Sequence, residues 1–330
     1  MKKHFSISIA SVLAFGASLA YSADNTKTWT DPAIARKEDP DFSVQGEYGS
    51  AQPGASLGVQ VVALGDGKFD AYFLEDGLPG LGWSKDKKRV RVSGAFVEDA
   101  VLFENESKEV EAVIGNGHIK GAVWGKPFEL PRLERQSPTL GKEPPDGAVV
   151  LFDGSSAKGW KNGKVVDGLL AATGTTSEKT FKDCEIHIEF RTPYKPHARG
   201  QGRGNSGVYY GGRWETQVLD SFGLEGRMNE TGGIYSIAAP KLNMCLPPLT
   251  WQTYDVEITA AKFDKEGRRV SWPRITVMLN GVVVHEDQEL NKTHTTAAPI
   301  RGELKDEGGP VFLQNHGNPV FYRNIWVLPK

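Results

Sequence analysis

The residues best suited to chemistry fall between Gly204 and Tyr235, GNSGVYYGGRWETQVLDSFGLEGRMNETGGIY. Side chains alternate across a β-strand, so Glu215 and Gln217 in Trp214-Glu215-Thr216-Gln217-Val218-Leu219-Asp220 share one face. Asp220 falls on the opposite face unless a bulge intervenes or the strand has already ended. A carboxylate beside an amide suits hydroxyl recognition and proton transfer. Asn205, in Gly204-Asn205-Ser206-Gly207, and Tyr235, in Gly232-Gly233-Ile234-Tyr235, flank the pair. A second candidate group is Gln314-Asn315-His316-Gly317-Asn318-Pro319, where His316 is an acid, base or donor and Gln314 an amide partner. It precedes a run that contains Arg323. A third is the polar face of Asp183–Arg191, in which Glu189 lies nearest the basic, Gly-rich loop Tyr194–Asn205 with its Arg199, Gln201 and Arg203.

Several chemistries have no support. There is no His-x-x-x-His, no close Cys pair and no EF-hand pattern, so no metal site is expected, although a divalent ion is left open. No strand–turn–helix context exists for a nucleophile elbow or a phosphate loop. The formal net charge of −2 argues against nucleic acid as a partner.

The elements that must hold these residues are strands. Glycine (38 residues), eight Trp and dense turn signals point to an all-β chain. Cys184, Ile186, Ile188 and Phe190 alternate with Glu185, His187, Glu189 and Arg191 as in a half-buried strand. Thr253–Thr259 alternates too, and Asn280-Gly281 is a hairpin turn between Ile275–Leu279 and Val282–His285. The chain divides into a signal peptide (1–22), an extended lead-in (23–41), a small antiparallel β domain (42–136), a Pro/Gly linker (137–147) and a β-sandwich of jelly-roll type (148–330). The signal reading rests on Lys2 and Lys3, the apolar stretch Ile7–Ala20 and small residues at Ser18, Ala20 and Ser22. It implies export to the periplasm or beyond, with no membrane association after cleavage. Cys184 and Cys245 are the only cysteines; their pairing is left open.

Across Gly147–Pro329 the sequence resembles the 3-keto-disaccharide hydrolase domain family. The resemblance is carried by VVLFDGSSAKGW, DCEIHIEFR, GNSGVYY, WETQVLDS, GGIY, WQTYDVEIT, RITVMLNGVVVHE and VFLQNHGNPVFYRNIWV, in the family's order. It implies a concanavalin- or laminin-G-like sandwich and a carbohydrate substrate: a glycoside oxidised to a ketone at C3. Proton removal from C2, β-elimination at C1 and water addition would give net hydrolysis. It further implies Glu215 as base, His316 or Tyr235 as acid, and Gln217, Gln314 and Asn205 as partners of hydroxyls or the oxyanion. Asp220 and Arg323 also fall on motif positions. Asn315 departs from the family, which commonly has Asp before this His-Gly. The upstream β region resembles the N-terminal part of some exported members. Three other readings stand beside this one: a carbohydrate-binding module with an open platform of Trp214 and Tyr210, a retaining glycosidase with two carboxylates about 5–5.5 Å apart, and a structural or adhesive β protein.

Overall fold

The computed structural model describes residues 27–330. The proposed signal peptide lies outside them. Among the described residues no helix is long and apolar enough to cross a membrane.

The described part of the lead-in is largely helical rather than extended. Helix Pro32–Glu38 starts at Asp31, whose side chain accepts from the N–H groups of Ala33 and Ile34. Helix Pro40–Val44 starts at Asp39 in the same way, through Asp41 N. An Asp N-cap followed by Pro at the first helical position is a start signal, here used twice.

The next unit is a closed barrel of eight antiparallel strands, each paired with its successor, from Gly46–Tyr48 to Lys126–Leu133. Closure comes from Glu47↔Leu133 and Tyr48↔Arg132. Asn116-Gly117 forms the expected hairpin, with Gly115 paired to His118. Val59, Val61, Phe73, Val101, Phe103 and Ile119 fill the interior.

Residues 149–329 form a sandwich. One sheet has the order Trp160–Lys161, Thr175–Phe181, Gly309–Leu313, Ser206–Tyr210, Trp214–Val218. The larger sheet centres on Cys184–Arg191, between Phe321–Pro329 and Gln252–Thr259. The alternating residues Cys184, Ile186, Ile188 and Phe190 face Val208, Tyr210, Val218, Val311 and Leu313 in one core. Both cysteines are buried and free.

The Pro/Gly segment that joins the two units is docked rather than loose. Ser137 Oγ meets Thr253 Oγ1 at 2.6 Å. Thr139 Oγ1 donates to Asp255 at 2.6 Å, and Gly141 N donates to Glu189 at 2.6 Å. It therefore covers the polar face of the larger sheet. The two units also share a small apolar cluster in which Val62, Tyr72 and Trp83 of the barrel side pack with Phe222 and Cys245.

Candidate functional site

The site is built on the outward face of the smaller sheet. Gly211 and Gly212, both at positive φ (61° and 65°), turn the chain between Ser206–Tyr210 and Trp214–Val218. The register pairs Gly207 with Gln217 and Tyr209 with Glu215. Val208, Tyr210, Trp214 and Val218 go into the core, so period two sends Gly207, Tyr209, Glu215 and Gln217 outward. Strand Gly309–Leu313 lies alongside, with Tyr209 opposite Phe312, and Gln314 follows directly.

Glu215 is 3% exposed and Tyr209 fully buried. The Tyr209 hydroxyl donates to Glu215 Oε2 at 2.7 Å and receives Gln314 Nε2 at 3.1 Å. Burial pushes the Glu215 carboxyl up to about 7; the Tyr209 hydrogen bond opposes that only in part. Burial and the neighbouring carboxylate raise the Tyr209 phenol above its usual range, so it stays a donor. The second carboxylate oxygen, Oε1, carries no hydrogen bond among the described residues. It lies over Gly207, where a Cβ would come within 2.3 Å of it. Any side chain at position 207 would take the space this oxygen uses.

A row of amides continues the face. Gln201 Oε1 accepts from Gln217 Nε2 and from Asn205 Nδ2, each at 2.9 Å, and Gln201 Nε2 donates to Asn229 O at 2.9 Å. These bonds fix which way the amides point. Among the described residues they leave Asn205 Oδ1 and Gln314 Oε1 buried without a donor.

Asn205, Glu215, Gln217 and Gln314 thus meet through Tyr209 and Gln201. Tyr235 is half-buried beside them; its N–H donates to Glu215 O at 3.1 Å, and it bears electrostatically on Tyr209. His316 is exposed on the turn that follows Gln314. Asn315 stabilises that turn, accepting from Gly317 N at 3.0 Å.

The other three candidates stand elsewhere, each with partners inside the protein. Strand Trp214–Val218 has ended before Asp220. There the Asp220 side chain, buried, accepts Arg203 Nε at 2.7 Å. Arg203 in turn reaches Ala63 O of the barrel at 3.1 Å, and Arg199 reaches Leu64 O at 2.9 Å. These arginines tie loop to barrel rather than reach for substrate. Glu189 and Arg323 are on the larger sheet. Arg323 Nε donates to Glu189 at 2.6 Å, and Asn324 Nδ2 at 3.0 Å. Burial would raise the Glu189 carboxyl, but donors from His187, Asn324, Gly141 and Arg323 outweigh it and hold it at about 2. Beneath the docked linker this cluster is structural.

Sequence reasoning did not single out Tyr209 or Gly207. The signal was available: a three-residue turn, Gly211-Gly212-Arg213, sets Tyr209 opposite Glu215 and Gly207 opposite Gln217. Among the described residues no three His, Cys, Asp or Glu side chains are grouped as metal ligands.

Residues 147–328 match the model of the 3-keto-alpha-glucoside-1,2-lyase-like domain. The barrel lies outside that segment. Among solved structures, a "putative glycosyl hydrolase" from Parabacteroides distasonis ATCC 8503 is 32% identical with a TM-score of 0.51, over 56% of this chain and 84% of that one. A second protein so described from the same organism is 20% identical with a TM-score of 0.41, over 56% of this chain and 94% of that one. No curated protein matches the chain. A match over more than half of the sequence, on the sandwich that carries Glu215 and its partners, places the chain in the family of 3-keto-alpha-glucoside-1,2-lyase-like domains.

Proposed function

We propose that the protein is an exported carbohydrate-active enzyme that cleaves 3-keto-glycosides by elimination. The observation that carries this reading is the Glu215 carboxyl: nearly buried, balanced near neutrality, and tied through one oxygen only. A ketone at C3 acidifies the hydrogen on C2. Glu215 Oε1, free over Gly207, takes that proton, and the electron pair becomes the enediolate. Collapse of the enediolate re-forms the ketone, makes the C1–C2 double bond and breaks C1–O. The leaving oxygen takes a proton from an acid, His316 at the rim or Tyr235. Water then adds across C1–C2, hydroxyl to C1 and proton to C2, which completes net hydrolysis. A base with pKa near the working pH is the efficient choice, contributing about 10²–10⁴-fold. Tyr209, held neutral, keeps its donor on Oε2 throughout. Asn205, Gln217 and Gln314 line the face along which the sugar hydroxyls lie.

Two alternatives lose their footing. A binding module would present Tyr210 and Trp214 as an open platform, yet they are 1% and 6% exposed and belong to the core. A retaining glycosidase needs a second carboxylate near Glu215. The groups that set the Glu215 pKa include no other charge, and Asp220 is committed to Arg203.

The test is turnover of a methyl 3-keto-α-glucoside and of its unoxidised parent, by wild type and by Glu215→Gln. We expect cleavage of the keto sugar alone, deuterium from solvent at C2 of the product, and loss of about 10²-fold or more in Glu215→Gln. Cleavage of the unoxidised sugar alone, or normal turnover by the variant, overturns the proposal. Export is tested separately by sequencing the N-terminus of the secreted protein.

A further inference from the structure

A cleft of about 620 Å³ opens between the barrel and the sandwich. Its barrel wall is Trp83, Lys85 and Arg89; its sandwich wall includes Asn229, Met228 and Ala239. The volume lies within the range of about 300–1,000 Å³ usual for ligand clefts, which favour domain interfaces. The walls are fixed to one another. Lys85 Nζ donates to Gly226 O at 2.8 Å and to Pro240 O at 2.7 Å. Arg89 donates to Gly223 O and stacks on Tyr72, 4.2 Å from the ring centroid. Arg227 is paired with Glu225 at 2.8 Å. The head groups of Lys85, Arg89 and Arg227 are therefore engaged within the protein. One donor is not engaged: the indole N–H of Trp83, a residue 6% exposed, is buried without an acceptor.

The cleft adjoins the site through a single residue. Asn229 lines it, and the Asn229 carbonyl accepts from Gln201 at 2.9 Å and from Gln217 at 3.4 Å. Gln217 is two residues from Glu215, or about 7 Å along a strand. A sugar whose C2 reaches Glu215 and whose ring lies along Gln217 would direct its C1 substituent past Asn229.

We propose that this cleft is the subsite for the leaving-group half of the substrate, a neutral second sugar joined at C1, and that the barrel sets leaving-group preference. This rests on the elimination reading of the Glu215 site. In it, Met228 and Trp83 give the second sugar apolar surface at the wall of the cleft. The barrel then has a role that the sandwich alone could not perform.

The experiment compares 3-keto-maltose with methyl 3-keto-α-glucoside on the full chain. Two variants are made: Ala239→Trp, an exposed position at which the indole narrows the mouth, and Trp83→Phe, which takes the five-membered ring from the cleft wall while keeping an aromatic ring there. The expected result is a fall of roughly tenfold in the ratio of kcat/KM for 3-keto-maltose over the methyl glycoside in each variant, the size of a lost hydrogen bond or contact. A ratio within about twofold of wild type in both variants overturns the proposal. If wild type cleaves neither sugar, the elimination reading fails by itself. Calorimetric titration of both sugars into wild type and Ala239→Trp then decides the cleft. Selective weakening of 3-keto-maltose supports it, and equal affinities refute it.

Discussion

Among the described residues Tyr209 is the one donor to the Glu215 carboxylate, and replacing it by Phe removes that donor. The bond is 2.7 Å long and its acceptor is charged when Glu215 is ionised. Hydrogen bonds to charged groups are worth about 1.5–3 kcal/mol. At about 1.36 kcal/mol per pKa unit, their loss raises the acceptor by roughly one to two units. Glu215 starts at about 7, so the variant would ionise near pH 8–9. The base form would fall from about half to roughly 1–10% at pH 7. The assay is the pH profile of kcat/KM on a 3-keto-glucoside. The acid limb should move up by one to two units, and much of the lost rate should return above pH 9. Gln314 loses its hydroxyl partner in the same variant, which lowers the plateau but leaves the limb where it is. A limb that stays at the wild-type position, with a uniformly lower rate, would refute the assignment of Glu215 as the titrating base.

Three further outcomes are expected. Glu215 is raised from 4.5 to about 7 on folding, so the native state holds a proton that the unfolded chain has lost between those values. Stability from this group is thus complete below about pH 4.5 and is lost as pH rises to 7, by about 3 kcal/mol in all. Glu215→Gln stays neutral and should unfold at higher temperature than wild type at pH 8 but not at pH 4; parallel melting curves across that range would contradict the burial argument. Gly207→Ala brings a methyl group to 2.3 Å from Glu215 Oε1, so turnover should drop at least tenfold while circular dichroism stays that of wild type. Asp220→Ala leaves Arg203 buried without its carboxylate, which should cost about 3–5 kcal/mol in urea unfolding; a loss confined to activity would return Asp220 to the site.

What could be read from the sequence was what depends on neighbours along the chain. The inward row Cys184, Ile186, Ile188 and Phe190 follows from alternation, and so does the Glu215–Gln217 pair. Asn116-Gly117 and Asn280-Gly281 mark their hairpins by their tolerance of positive φ. What could not be read depends on distant pairing. Barrel closure needs Glu47 to meet Leu133, and Gln314 reaches Tyr209 only because Gly309–Leu313 lies beside Ser206–Tyr210 in the sheet. The docking of the linker could not be read for another reason. Its Pro and Gly content says only that it has no regular structure. Its Ser137, Thr139 and Gly141 supply the partners that the polar face of the larger sheet would otherwise have sought in water.

The two candidate carboxylates show why burial alone does not mark a base. Glu189 and Glu215 each sit on the outward face of a sheet, at 1% and 3% exposure. Desolvation raises both. Glu189 meets Arg323, Asn324 and the Gly141 N–H at hydrogen-bond distance, with His187 Nε2 at 3.6 Å. Those donors hold its carboxyl down at about 2, with both oxygens engaged. Glu215 meets Tyr209 alone, so desolvation wins and Oε1 keeps a free lone pair. The sequence treats the two alike, as a Glu on a strand whose alternate residues are mostly apolar. The difference is made by what covers each face: the docked linker and the Arg323 strand over one, and a glycine beneath the other. On the proposed reading, a base is a buried carboxylate whose neighbours have been withheld, and Gly207 is the residue that withholds them from Glu215.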